Sequence, residues 1–132
     1  MSIAQSLIDT AVEDSRLLVK NQELGDRAEI PRDIDFVLYA KNEERAKLVA
    51  SFVTDYRYGR PAVERVEHRG TISWRLLITI HAPTTENVVM TLSAFMVCLS
   101  QIYDLDYDGW GCNIQKRADT PNAAPSPPAS AP

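Results

Sequence analysis

The chain has 132 residues, room for one domain around one modest core, and its 45% apolar and 24% charged residues are the ordinary balance of a globular protein. No apolar run approaches the roughly 20 residues a membrane-crossing helix needs. The formal charge is −4, and because residues from Lys116 onward carry +1 the rest carries −5, which argues against general binding of phosphate backbones and favours a basic polypeptide as partner.

The opening residues, Met1-Ser2-Ile3-Ala4-Gln5, have neither the positive start nor the continuous apolar segment of a signal peptide, so a cytoplasmic protein with no membrane partner is expected. Residues 3–22 read as an amphipathic helix with Ile3, Leu7, Ala11, Leu18 and Val19 near helical spacing, and Asn21 and Gly25 as stop signals. Residues 23–30 are a loop ended by Pro31. From 33 to 40 the pattern alternates, Ile34, Phe36 and Leu38 against Asp35, Val37 and Tyr39, which predicts a first strand.

Asn42 is placed to cap a helix from Glu43 to about Tyr56, with Glu43 and Glu44 at the positive end of its dipole. Pro61 opens a second strand running to about His68, and Arg69-Gly70 makes a hairpin turn. The third strand, 71–81, carries the strongest alternation: Trp74, Leu76, Ile78 and Ile80 share one face, Arg75, Leu77 and Thr79 the other. Thr84 or Thr85 then caps a long helix with Val88, Leu92, Phe95, Met96, Leu99 and Tyr103 at three- and four-residue steps.

Asp108-Gly109 reads as the turn that hands this helix to a last strand, Trp110 to Ile114, with Trp110 anchoring one face and Gly109 and Gly111 leaving bare backbone on the other. The order is β-α-β-β-α-β after one helix. It predicts an α+β fold, a ferredoxin-like plait with both crossover helices on one face of a four-stranded antiparallel sheet. Beyond Arg117 the chain is Ala, Pro, Ser and Asn, a composition expected to stay disordered. The expected division is an N-terminal helix and loop over 1–29, a folded domain over 30–116 and a tail over 117–132.

Several constellations invite chemistry. Asp104, Asp106 and Asp108 before Gly109 mimic the opening of a calcium loop, but the twelfth position is the neutral Gln115 and the following residues read as strand, so no metal site is assigned. His68 and His81 fall at opposite ends of the hairpin strands and cannot converge. Cys98 and Cys112 lie in apolar patterns, as two buried free thiols, and neither has a basic neighbour marking a nucleophile. With no phosphate loop, hydrolase elbow or zinc spacing, neither a cofactor nor a catalytic residue is assigned and no enzyme is expected.

The sheet face opposite the crossover helices would carry Val37, Tyr39, Arg75, Leu77 and Thr79, a surface for a partner unless the N-terminal helix folds over it with Gly111 allowing close approach. Aromatic stacking of RNA on that face has only Tyr39 to use, so no direct nucleic-acid contact is expected. A second acidic cluster, Asp9, Glu13 and Asp14 with Glu23, Asp26 and Glu29, is either a solvated helix side or a surface that steers a basic segment.

Two stretches, Pro31-Arg32-Asp33-Ile34-Asp35-Phe36-Val37-Leu38-Tyr39 and Tyr107-Asp108-Gly109-Trp110-Gly111, resemble the family of regulators of ribonuclease E activity B, the RraB-like proteins, over residues 30 to 116. The resemblance implies a small acidic inhibitor that binds the non-catalytic scaffold region of ribonuclease E and modulates RNA degradation without chemistry of its own. Tyr39, Arg75, Asp9, Glu13 and Asp14 are then the candidate contacts, with Asp108, Gly109, Trp110 and Gly111 as structural determinants. A ligand-binding regulatory domain of the ACT type, which shares the topology, is the alternative.

Overall fold

A computed structural model describes residues 2–116; the segment expected to be disordered, 117–132, lies outside the described residues. Helix α1 spans Ile3–Glu23, strand β1 Arg32–Ala40, helix α2 Glu43–Asp55, strands β2 and β3 Arg60–His68 and Thr71–Ala82, helix α3 Glu86–Tyr103 and strand β4 Asp106–Cys112. The sequence of elements is the one expected.

The strands form one antiparallel sheet in the order β2-β3-β1-β4. Alternation dictates which side is filled. Ile34, Phe36, Leu38 and Ala40 of β1 and Leu76 and Ile78 of β3 are buried on one face, where they meet Ala46, Val49 and Val53 of α2 and Val89, Met96 and Leu99 of α3 in a single core. An aromatic group, Phe52, Tyr56, Tyr58, Phe95 and Tyr103, closes the seam between the two helices with ring centroids 4.7–6.2 Å apart.

The caps follow local chemistry. Asn42 Oδ1 accepts from the Arg45 amide at 2.8 Å at the start of α2, and Ser2 accepts from the Gln5 amide at 3.1 Å at the start of α1. Arg69 and Gly70 take φ of 52° and 79° in the β2–β3 hairpin, the left-handed pair the turn requires.

Two expectations change and one open alternative is decided. The hand-over from α3 to the last strand lies earlier than Asp108-Gly109: Asp104 takes the left-handed conformation, φ 57°, and the Leu105 amide returns to Ser100 O at 2.8 Å, ending the helix. Asp108-Gly109 instead sits inside β4, where the register against β1 slips between Val37 and Leu38 and Gly109 takes φ 103°, a bulge. Asp106 and Asp108 therefore ride on an extended strand, while Asp104 pairs with Lys41 and Arg45 at 3.6 and 3.5 Å. The acidic triplet forms no calcium-type loop.

The alternative left open concerns α1, which packs on α3 and does not fold over the open face of the sheet. Gly111 accordingly admits no neighbouring backbone, since a Cβ there would meet nothing within 4 Å. Third, Cys98 is exposed on α3 and Cys112 half-buried, both as free thiols, because α3 turns Val97 inward and Cys98 out.

Candidate functional site

Helix α1 presents Leu7, Thr10, Ala11, Asp14, Leu17, Leu18 and Asn21 inward, a stripe at three- and four-residue spacing. Ile3 and Val19, expected on that stripe, point outward and are exposed. At the centre of the stripe, where an apolar residue is normal, stands Asp14, only 4% exposed.

The reason lies on β4. Trp110 pairs with Phe36 in the β1–β4 register and turns toward the helix side, where its ring is 8% exposed. A buried indole N–H needs an acceptor, and Trp110 Nε1 donates to Asp14 Oδ1 at 2.9 Å. Beside them the hydroxyls of Ser93 on α3 and Tyr107 on β4 share a hydrogen bond of 2.8 Å. Three elements distant in sequence are thus joined by four polar side chains.

Asp14 is not fully satisfied. Its Oδ2 is buried and has no hydrogen-bond partner among the described residues. Desolvation raises its pKa above the ordinary carboxylate value, against the opposing pull of the Trp110 hydrogen bond and the nearby Ser93 hydroxyl, while the Glu13 charge adds to the rise. Burial likewise pushes the Tyr107 hydroxyl up, helped by the Asp14 charge and resisted by Ser93. The Cys112 thiol is also raised by burial, with Arg32 opposing, which disfavours its thiolate.

Above Asp14 and Trp110 lies a groove of about 550 Å³ between α1 and the outer edge of β4. It is lined by Asp9, Glu13, Asp14, Arg16 and Lys20 from the helix and by Tyr107, Asp108, Gly109 and Trp110 from the strand. The structure thus brings together six residues singled out in two separate stretches: Asp9, Glu13 and Asp14 with Asp108, Gly109 and Trp110. Arg16 is held by Glu13 at 2.7 Å, and Asp9 accepts from Gln5 Nε2 at 2.9 Å. Four carboxylates against two cations leave the groove acidic.

Tyr39 and Arg75 are neighbours in register on the opposite side of the sheet, and they are not part of this groove. Arg75 pairs with Glu64, and the carboxylate beside it, with help from Tyr39, raises the guanidinium pKa further. On the same face Asp33 accepts from Arg60 and meets His81, each at 2.9 Å, which holds its carboxyl below the usual range. Thr79 donates to Asp35 at 2.6 Å. The polar groups of that face are occupied with one another around Val37 and Leu77, and His68 sits apart beside the hairpin turn.

A second buried polar knot was not singled out as a site. Arg32 and Asp26 form an ion pair with side chains 3% exposed. Arg32 also donates to the carbonyls of Ile30, Arg27 and Asn113 at 2.6–3.1 Å, and Asp26 accepts from the Gln115 amide at 2.8 Å. The pair ties the α1–β1 loop to the chain leaving β4. Its signal was in the sequence, as an arginine at a strand position that alternation assigns to the core.

Fold and site together define a small acidic α+β domain, a sheet backed by helices whose most distinctive surface is a carboxylate-lined groove against its last strand. No group of three or more potential metal ligands gathers among the described residues, and no helix there is long and apolar enough to cross a membrane. The chain belongs to the family of regulators of ribonuclease activity B, RraB, whose family model matches residues 11–112, more than half of the chain. No curated protein matches it. The matched span begins within α1 and ends with β4, so it contains the Asp14–Trp110 contact.

Proposed function

We propose that this regulator of ribonuclease activity is a non-enzymatic inhibitor that binds ribonuclease E on its non-catalytic scaffold region and thereby modulates RNA degradation in the cytoplasm. The observation that carries the reading is the convergence, in a chain of this family, of the α1 carboxylates and the β4 motif on one acidic groove. We read the strand order β2-β3-β1-β4, with α2 and α3 packed on one face, as a ferredoxin-like plait to which α1 has been added beside α3. Such an addition creates a surface the bare plait lacks.

The mechanism is occupancy. A disordered scaffold segment rich in Lys and Arg is drawn by the acidic body, which raises the association rate, and is then held by contacts at the groove. Tyr39 and Arg75 stand as a second, separate contact surface on the uncovered face of the sheet. The test is retention of the chain by an immobilised ribonuclease E scaffold fragment, run at low and at raised salt. Retention at low salt that is reduced at high salt supports the reading; no retention at either, or retention only by the catalytic portion, contradicts it.

A further inference from the structure

Within the groove one atom has no counterpart. Asp14 Oδ2 is removed from water yet accepts no hydrogen bond among the described residues, and leaving a buried acceptor unmade is costly, more so for a charged group. The packing of α1 on α3 alone does not call for a carboxylate there, since an asparagine would equally accept from the Trp110 indole through its carbonyl oxygen. What the asparagine lacks is charge.

We infer that Asp14 is the anchor of a cation-binding subsite in the α1–β4 groove, which receives an arginine side chain of an extended basic segment. This deepens the scaffold-binding reading and rests on it for the partner's identity. Three features of the groove fit that occupant. Asp14, whose Oδ2 is buried beneath the surface, lines the groove beside Trp110, whose ring offers an apolar wall to an arginine stem. The rim carries Asp9, Glu13 and Asp108, all exposed, so neighbouring basic residues of the same segment meet negative charge on both walls.

Third, among the described residues β4 is the outermost strand of the sheet, paired only with β1, and it forms the second wall of the groove. An extended segment lying along that edge projects alternate side chains toward α1. The bulge at Asp108-Gly109 interrupts the edge and works against indiscriminate strand pairing, so side-chain charge is left to select the partner. Arginine suits the site better than lysine because guanidinium is less strongly hydrated and its planar fork of donors matches a carboxylate.

The Trp110 indole proton is a direct reporter. A synthetic eight-residue peptide of alternating arginine and serine is titrated into the full chain and followed by the two indole resonances in a proton–nitrogen spectrum. The expected result is a saturable shift of the Trp110 indole, with Trp74 unmoved. The shift is expected to weaken about tenfold or more in Asp14→Asn, to weaken severalfold in the surface variant Asp9→Asn/Glu13→Gln/Asp108→Asn, and to be absent when glutamine replaces arginine in the peptide.

No saturable shift with the wild-type chain overturns the inference, as does equal binding by Asp14→Asn, or shifts confined to Tyr39 and Arg75. Should Asp14→Asn fail to fold, the surface variant, built only of exposed positions, decides. Retention on the immobilised ribonuclease E scaffold is scored separately. Retention with no peptide effect at Trp110 sinks the subsite alone, and a peptide effect without retention leaves the subsite standing and sinks the ribonuclease E assignment.

Discussion

Replacing Trp110 by phenylalanine isolates the contact that joins α1 to the sheet. The substitution keeps an aromatic ring in a position that is 8% exposed but removes the indole N–H that donates to Asp14 at 2.9 Å. A hydrogen bond to a charged group contributes about 1.5–3 kcal/mol, and without it the buried carboxylate loses its indole donor. The smaller ring leaves a void of roughly 40 Å³, which at about 24 cal/mol per Å³ adds about 1 kcal/mol. The expected destabilisation is about 3 kcal/mol, a fall in Tm of roughly 10 °C for a domain of this size.

Asp14→Asn is the companion. It preserves an acceptor for the indole and removes the desolvated charge, so its own effect at neutral pH is expected within about 1 kcal/mol of zero. In the Asp14→Asn background Trp110→Phe no longer strands a charge and is expected to cost about 1–2 kcal/mol less, a coupling that urea denaturation followed by circular dichroism resolves. Were Trp110→Phe to cost under about 0.5 kcal/mol, with no coupling to Asp14, the indole–carboxylate bond would not be what seats α1 on the domain.

Further outcomes follow from other parts of the molecule. Arg32→Lys is expected to destabilise by about 3 kcal/mol or more, because one ammonium cannot replace the guanidinium among Asp26 and three carbonyls and leaves a buried carboxylate underpaired; thermal denaturation close to wild type would contradict this. Gly109→Ala is expected to cost about 1–2 kcal/mol from its φ of 103° alone, whereas Gly111→Ala, with open space around its Cβ, is expected within about 0.5 kcal/mol of wild type. Equal effects at the two glycines would refute the bulge. The pH dependence of Asp14 has a definite sign: its folded pKa is raised above 3.8, so the folded state holds the proton more tightly and this group's contribution falls as pH rises from 3.8 through the raised value. The stability of Asp14→Asn relative to wild type is therefore expected to grow over that window and level off above it, and a difference that shrinks with pH would reverse the assignment.

Alternation found β1 and β3 and a clear stripe found α2 and α3, while β2 was placed by Pro61 and the Arg69-Gly70 turn. The helix-to-strand hand-over was misplaced because Asp-Gly is equally at home in a turn and in a bulge, and only the pairing partner Val37–Leu38 distinguishes them. The seat of α1 was not legible at all. A stripe whose centre is Asp14 looks like a polar helix side until Trp110, 96 residues later, is seen to require an acceptor. The same pairing explains why the acidic cluster of α1 and the Trp-containing motif, quoted as unrelated candidates, line one groove. Tyr39 and Arg75 were assigned to the other face, but the pairing of Arg75 with Glu64, 11 positions away across the hairpin, needed the strand register to be seen.

The most direct test of the account is a calorimetric titration of the ribonuclease E scaffold fragment into the full chain across a salt series, beside a parallel titration of the catalytic portion. Saturable binding of the scaffold that weakens steadily with salt, is diminished by neutralising Asp9, Glu13 and Asp108, and has no equal in the catalytic portion is the predicted result. Heat only with the catalytic portion, or scaffold binding indifferent to salt and to those three carboxylates, would contradict it.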